Sequence, residues 1–162
     1  MPRKTLSKRE SLDAFDRAIL RIVQRDNKMP QRLIGEAVNL SAAAVQRRIA
    51  AMEAEGIVER NVAMVDTHAV GMGITSIVEV TLTDERSETA DAAKAMFSAA
   101  PEVQQCYYVT GGISFVLVIV CPNMTAYEAA TRRLFAQNEA VVSFRSLIAL
   151  DRVKTGVEIV IP

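Results

Sequence analysis

A chain of 162 residues with zero formal net charge has room for one medium domain or two small ones, and half of its residues are hydrophobic, enough for a packed core. Neutrality hides a split: residues 1–60 carry 12 Lys/Arg against 8 Asp/Glu, and residues 61–162 carry 7 against 11. Two cysteines exclude a disulfide scaffold or a zinc site, and no apolar run is long enough to span a bilayer.

Residues 1–11 are basic and polar without the apolar segment of a secretory signal, and read as a flexible basic arm able to lie along phosphates. From residue 12 the pattern is helical. Leu12, Phe15, Ile19, Leu20 and Val23 share one face, Arg17, Arg21 and Arg25 lie outside it, and Asp13 and Asp16 sit where negative charge favours the helix dipole. A second helix opens after Pro30, with Leu33, Ile34, Ala37 and Val38 at core spacing. Asn39 can take the left-handed conformation that ends a helix, and Ser41 can cap the next one. In that third helix Val45, Ile49 and Met52 form the buried stripe, while Ala42, Ala43, Gln46 and Arg47 face outward with Arg48 at the edge. Gly56 stops it, and residues 57–65 alternate as a strand. Two short helices joined by a tight turn are the outline of a helix-turn-helix, which lays its second helix in the major groove of DNA. An ordinary helical hairpin has the same spacing, and the basic half of the chain favours the DNA reading.

The expected organisation is a winged helix-turn-helix domain over 12–65, a glycine-containing linker over 66–74, and a second domain over 75–162. In the second domain the spacing predicts strands at 76–83, 103–110, 115–121 and 143–150, with a fifth at 156–161. Helices are predicted at 88–99 and 125–135, the latter with Tyr127, Ala130, Leu134 and Phe135 inward. The order βαββαβ is that of a ferredoxin-like sandwich, giving an α+β protein overall. The strand at 115–121 is apolar on both faces, which predicts a sheet packed against a second copy of the chain. Cys106 and Cys121 fall in strands and read as reduced, buried thiols, so a cytoplasmic protein is expected.

Nothing assembles into an enzyme. The single histidine, His68, lies in the linker without a nucleophile or carboxylate at motif spacing, and Asp84, Glu85 and Glu88 open a helix where carboxylates suit the dipole. No catalytic residue, metal site or cofactor is expected.

The order and spacing of several motifs resemble the leucine-responsive regulator (Lrp/AsnC) family of transcription factors. They are LDxxDxxIL at 12–20, LSxxxVxRRIxxMExEGIV at 40–58, VEVTL at 78–82, YxVTG at 107–111 and PxMxAY at 122–127. The resemblance implies an N-terminal helix-turn-helix and a C-terminal effector-binding, oligomerising domain of the RAM type. It also implies double-stranded DNA as partner, homodimers assembling further, often to octamers, and an amino acid or related metabolite as effector. The DNA-contacting set it marks is Gln31, Ser41, Ala42, Ala43, Gln46, Arg47 and Arg48. For Arg48 a phosphate contact and an internal ion pair with an acidic residue are both open.

The effector region departs from the family. Its turn between the second and third strands has two acidic residues where this chain has Gly112 and Ser114, within Gly111-Gly112-Ile113-Ser114-Phe115. A pair of threonines in the fourth strand is replaced by Phe144 and Ser146. Gly111, Gly112, Ser114, Arg145 and Ser146 are the candidate effector residues. An amino acid held by backbone groups and Ser146, a differently charged ligand held by Arg145, and no ligand at all are competing readings. The alternative for the whole chain is a metabolite-sensing or assembly module that does not bind DNA.

Overall fold

The computed structural model describes residues 12–162; the basic arm expected at 1–11 lies outside them. The described chain divides into two compact units, one of residues 12–63 with 155–162 and one of residues 64–154.

The first unit holds three helices, α1 (Ala14–Val23), α2 (Gln31–Val38) and α3 (Ala42–Ala54). Asp13 caps α1 through a reciprocal pair: its carboxylate accepts from the Asp16 N–H at 2.8 Å, and the Asp16 carboxylate accepts from the Asp13 N–H at 3.3 Å. Ile19, Ile34, Val38, Val45 and Met52 are buried together, one stripe from each helix. Phe15, Leu33 and Ala37, expected to face this core, are exposed instead. At the end of α3, Gly56 takes φ +73°, its N–H bonds the Glu53 carbonyl, and the Ile57 N–H bonds Met52. These two bonds satisfy carbonyls the helix would leave open.

The expected strand at 57–65 does not form. Ile57 and Val58 pack on the helical core, but residues 59–66 are exposed and pair with no other strand among the described residues. Alternation makes a segment able to pair, and a ladder still needs a neighbouring backbone. The fifth strand expected at 156–161 is also absent. That tail is held by side chains in and just after α1: the Gln24 amide donates to the Ile159 carbonyl (3.0 Å) and accepts from its N–H (3.2 Å). Arg21 donates to the carbonyls of Ile161 and Pro162, so residues 155–162 group with the first unit.

The second unit contains β1 (Ile74–Leu82), α4 (Ser87–Ala99), β2 (Val103–Tyr108), β3 (Phe115–Cys121), α5 (Met124–Thr131) and β4 (Val141–Ile148). The strands form one antiparallel sheet in the order β2-β3-β1-β4, the ferredoxin-like arrangement that the βαββαβ sequence predicts. Burial along β1 alternates, sending Ser76, Val78, Val80 and Leu82 toward the helices. There Phe97 meets Phe115 edge-on at 5.2 Å between centroids and lies 5.8 Å from Phe135. α5 runs on into a π-helical turn, Arg132–Ala136, that buries Leu134 and Phe135. Tyr127 and Ala130 are buried as well, so all four residues expected inward on this helix are. No helix among the described residues is long and apolar enough to cross a membrane.

Candidate nucleic-acid interface and effector region

The hairpin of the first unit is built around three backbone positions. Gly35 lies where a Cβ would meet the Leu40 carbonyl oxygen at 2.4 Å, so only glycine lets the turn close over α2. Asn39 adopts φ +58° and ψ +44°, and the Leu40 N–H bonds the Gly35 carbonyl at 2.9 Å. Ser41 then caps α3, its hydroxyl accepting from the Ala44 N–H at 3.2 Å. Asn39 and Ser41 were legible in the sequence. Gly35 was not singled out, although a glycine inside a helical pattern signals close backbone approach.

With Val45 and Met52 inward, α3 presents Ala42, Ala43, Gln46, Arg47 and Ala50 to solvent. Arg47 forms no ion pair with any described residue, and small side chains surround it. Gln31 is half-buried at the first position of α2. Arg48 is paired within the unit: one guanidinium nitrogen donates to Asp13 at 2.7 Å and to Asp16 at 2.9 Å, and the group stands 5.6 Å from the Phe15 ring centroid. Of the two readings the sequence left open, the internal ion pair is present in the structure. Arg48 ties α3 to α1 and covers the exposed Phe15 ring. The N–H of Asp16, and after it the Arg48 hydrogen bond, hold the Asp13 carboxyl below its ordinary range.

The five candidate effector residues do not form one cluster. Gly111 and Gly112 have φ of +115° and +91°, which glycine alone adopts readily, and nothing stands within 4 Å of the Cβ either would carry. Ser114 is fully buried beside this turn. Its hydroxyl accepts from the Leu82 N–H at 3.0 Å and donates to Glu85 Oε1 at 2.6 Å. Glu85 Oε2 accepts from the Tyr108 hydroxyl at 2.8 Å. These two donors, Ser114 first, hold the Glu85 carboxyl below its ordinary range. Arg145 and Ser146 belong to β4, which lies beyond β1 from the β2–β3 turn, at the opposite sheet edge. They also point to opposite faces: Ser146 pairs with buried Val78, and Arg145 with Glu79. Arg145 is bound to Glu79 through two hydrogen bonds of 2.9 Å, so its charge is already met. Glu85 and Tyr108 are the neighbours of the turn that sequence reasoning missed. Glu85 lies 29 residues before Ser114, and no periodicity links the two.

Among the described residues no group of three His, Cys, Asp or Glu could hold a metal ion. Cys121 is buried and Cys106 half-buried, both as free thiols whose burial pushes their pKa up.

Two family descriptions match the chain: the AsnC-type helix-turn-helix domain over residues 12–53 and the Lrp/AsnC ligand binding domain over residues 75–159. An HTH-type transcriptional regulator of Sinorhizobium fredii is 37% identical over 88% of this chain and 85% of its own length. Another from Haemophilus influenzae is 31% identical over 94% and 90%. The crystal structure of an AsnC family transcriptional regulator from Agrobacterium tumefaciens superposes with a TM-score of 0.84 at 31% identity, covering 91% of this chain and 95% of that one. A capped three-helix unit, a ferredoxin-like sheet and both domain matches in the same order agree: this chain belongs to the Lrp/AsnC family of transcriptional regulators.

Proposed function

We propose that the chain binds double-stranded DNA as a homodimer that assembles further, to an octamer, in the cytoplasm, and that an amino-acid-type metabolite acting on the second unit modulates it. The observation that carries the DNA reading is the outward face of α3, where Gln46 and Arg47, which has no ion-pair partner among the described residues, stand among alanines. Alanines allow close approach to the groove and contact with thymine methyls, but they donate no hydrogen bonds. Gln46 is the residue suited to an adenine edge, and Arg47 to a guanine or a phosphate. With so few base-reading groups, part of the sequence preference comes from DNA shape and bending. Gln31, Ala42, Ala43 and the Ser41 hydroxyl complete the contact surface.

The dimer reading is supported by the sheet face turned away from the helices. Its rows run Leu147–Ile77–Val118–Gln105 and Arg145–Glu79–Val116–Tyr107, with Leu147 and Tyr107 exposed. A face with Ile77, Val116, Val118 and Leu147 beside the Arg145–Glu79 pair buries its apolar part when two copies pack sheet to sheet. A two-fold dimer would then present two α3 helices to successive major grooves, about 34 Å apart. The match to a ligand binding domain supports the effector reading, and Gly111, Gly112 and Ser114 are its candidates at the glycine turn, with Arg145 and Ser146 on β4. Linkage requires the effector to bind one assembly state more tightly than another.

The test is a titration of the purified protein against its own upstream DNA and a random duplex, over a salt series, with and without pooled amino acids. Tight, salt-sensitive and sequence-selective binding is expected, and the pool is expected to shift it. Indifference to both duplexes would replace this reading with a sensing or assembly module.

A further inference from the structure

The sheet face turned away from the helices carries one acid and one base in its paired rows, Glu79 on β1 and Arg145 opposite it on β4. Their neighbours in these rows, Ile77, Val116, Val118 and Leu147, are apolar. Glu79 stands in the middle of an inner strand, so the pair lies near the centre of the face rather than at its rim. The Glu79 side chain is 25% exposed and that of Arg145 is 68% exposed, so the guanidinium is the partner more open to solvent. Its Nε and Nη2 donate to the two Glu79 oxygens at 2.9 Å, and Nη1 has no acceptor among the described residues. Covering such a group with a purely apolar partner strips water from Nη1 and leaves its donors unmet, a cost the intrachain bonds do not return.

A two-fold interface presents the same patch from both sides, so residue i meets j and j meets i. A lone charge near the axis would meet its own like. A central pair of opposite signs lets Arg145 of one copy reach Glu79 of the other, and the reverse. We propose that Glu79 and Arg145 select the partner: each Arg145 bridges Glu79 of its own chain and Glu79 of the second copy, so this face accepts another copy of the chain and rejects sheet faces of different charge. The inference rests on the dimer reading above and deepens it, from association to choice of partner. The valines, Ile77 and Leu147 supply buried area, which is non-directional and would suit any apolar sheet. Discrimination has to come from groups that penalise a wrong partner, and on this face those are the two charges.

The experiment is co-expression of the full-length wild-type protein with the charge-swapped variant Glu79→Arg with Arg145→Glu, followed by native mass spectrometry of the dimers. The swap keeps an ion pair inside each chain, so the variant is expected to fold and to form its own dimers, with circular dichroism confirming the fold. Mixed dimers should fall about tenfold or more below the share that random pairing gives, because acid would face acid and base would face base across the axis. A random share of mixed dimers would overturn the inference and leave the dimer reading standing. The single variants give an independent route. Glu79→Arg alone and Arg145→Glu alone should each shift to monomers in sedimentation at low concentration, and mixing the two should restore dimers. Failure of the mixture to do so would confine the pair to a role within one chain and overturn the inference. A wild-type protein that sediments as a monomer would remove the dimer reading and the inference together.

Discussion

The Arg48 guanidinium joins two carboxylates of another helix while standing over an aromatic ring, and its strength follows from partial burial. Its side chain is 28% exposed and that of Asp16 is 8% exposed, so water screens the pair less than it would a surface bridge. Arg48→Ala should destabilise the first unit by about 1–2 kcal/mol, after discounting a charged hydrogen bond for that exposure. Chemical denaturation checks it, and an unchanged midpoint would make the ion pair ornamental. Acid acts on the same place. Asp13 titrates below its ordinary 3.8 when folded, so its contribution is fully present above that value and is lost as pH falls through the lowered one. The Asp16 N–H is the larger cause and survives the substitution. The acid limb of stability should therefore be shallower, but not flat, in Arg48→Ala. Neither Asp13 nor Asp16 was legible as a partner of Arg48. Both sit in the first turn of a helix, where the dipole already accounts for an acid, and the Arg48–Asp16 bond spans 32 residues.

At the scale of the element, the turn between α2 and α3 depends on the missing side chain of Gly35. Gly35→Ala puts a methyl 2.4 Å from a backbone oxygen, which cannot rotate away as a side chain could. A loss of about 1–3 kcal/mol is expected, together with weaker DNA binding as α3 shifts. Thermal unfolding and a duplex titration read the two effects. Arg47→Ala separates position from readout on α3. If Arg47 contacts a phosphate, binding should weaken on all sequences and the salt slope should fall by about one. Lost sequence preference with an unchanged slope would place Arg47 on a base instead. The Ser41 cap of α3, the left-handed Asn39 and the inner faces of α3 and α5 were all readable, because each depends on residues within about one turn of the chain. Residues 57–65 and 156–161 read as strands for the same local reason. They formed none: neither pairs with a described strand, and the tail at 156–161 is bonded to the Arg21 and Gln24 side chains instead.

For the whole molecule, the proposed assembly depends on the sheet face that carries Ile77, Val116, Val118 and Leu147. Val118 lies in the middle of a row and is half-buried in the single chain. Val118→Asp should shift the protein to monomers in sedimentation at low concentration, with circular dichroism confirming an intact fold. A variant that remains dimeric would rule out sheet-to-sheet packing. The Glu79–Arg145 pair stands on the same face, and enclosing it costs desolvation that its two hydrogen bonds offset in part.

What the sequence by itself determined is what local chemistry can specify: three helices around a tight turn, a βαββαβ order, and the faces of most elements that turn inward. It also carried the family, through motifs whose order and spacing survive in the linear chain. Tertiary structure alone decided how the polar and charged groups are paired. Arg48 is spent on Asp13 and Asp16, Arg145 on Glu79 across 66 residues, and Ser114 on Glu85. It also separated Arg145 and Ser146 from the glycine turn, by strand order and by the pleat. The physical reason is one of range. Backbone conformation responds to neighbours a few residues away, whereas an ion pair or a buried hydroxyl depends on groups that only folding brings within about 3 Å.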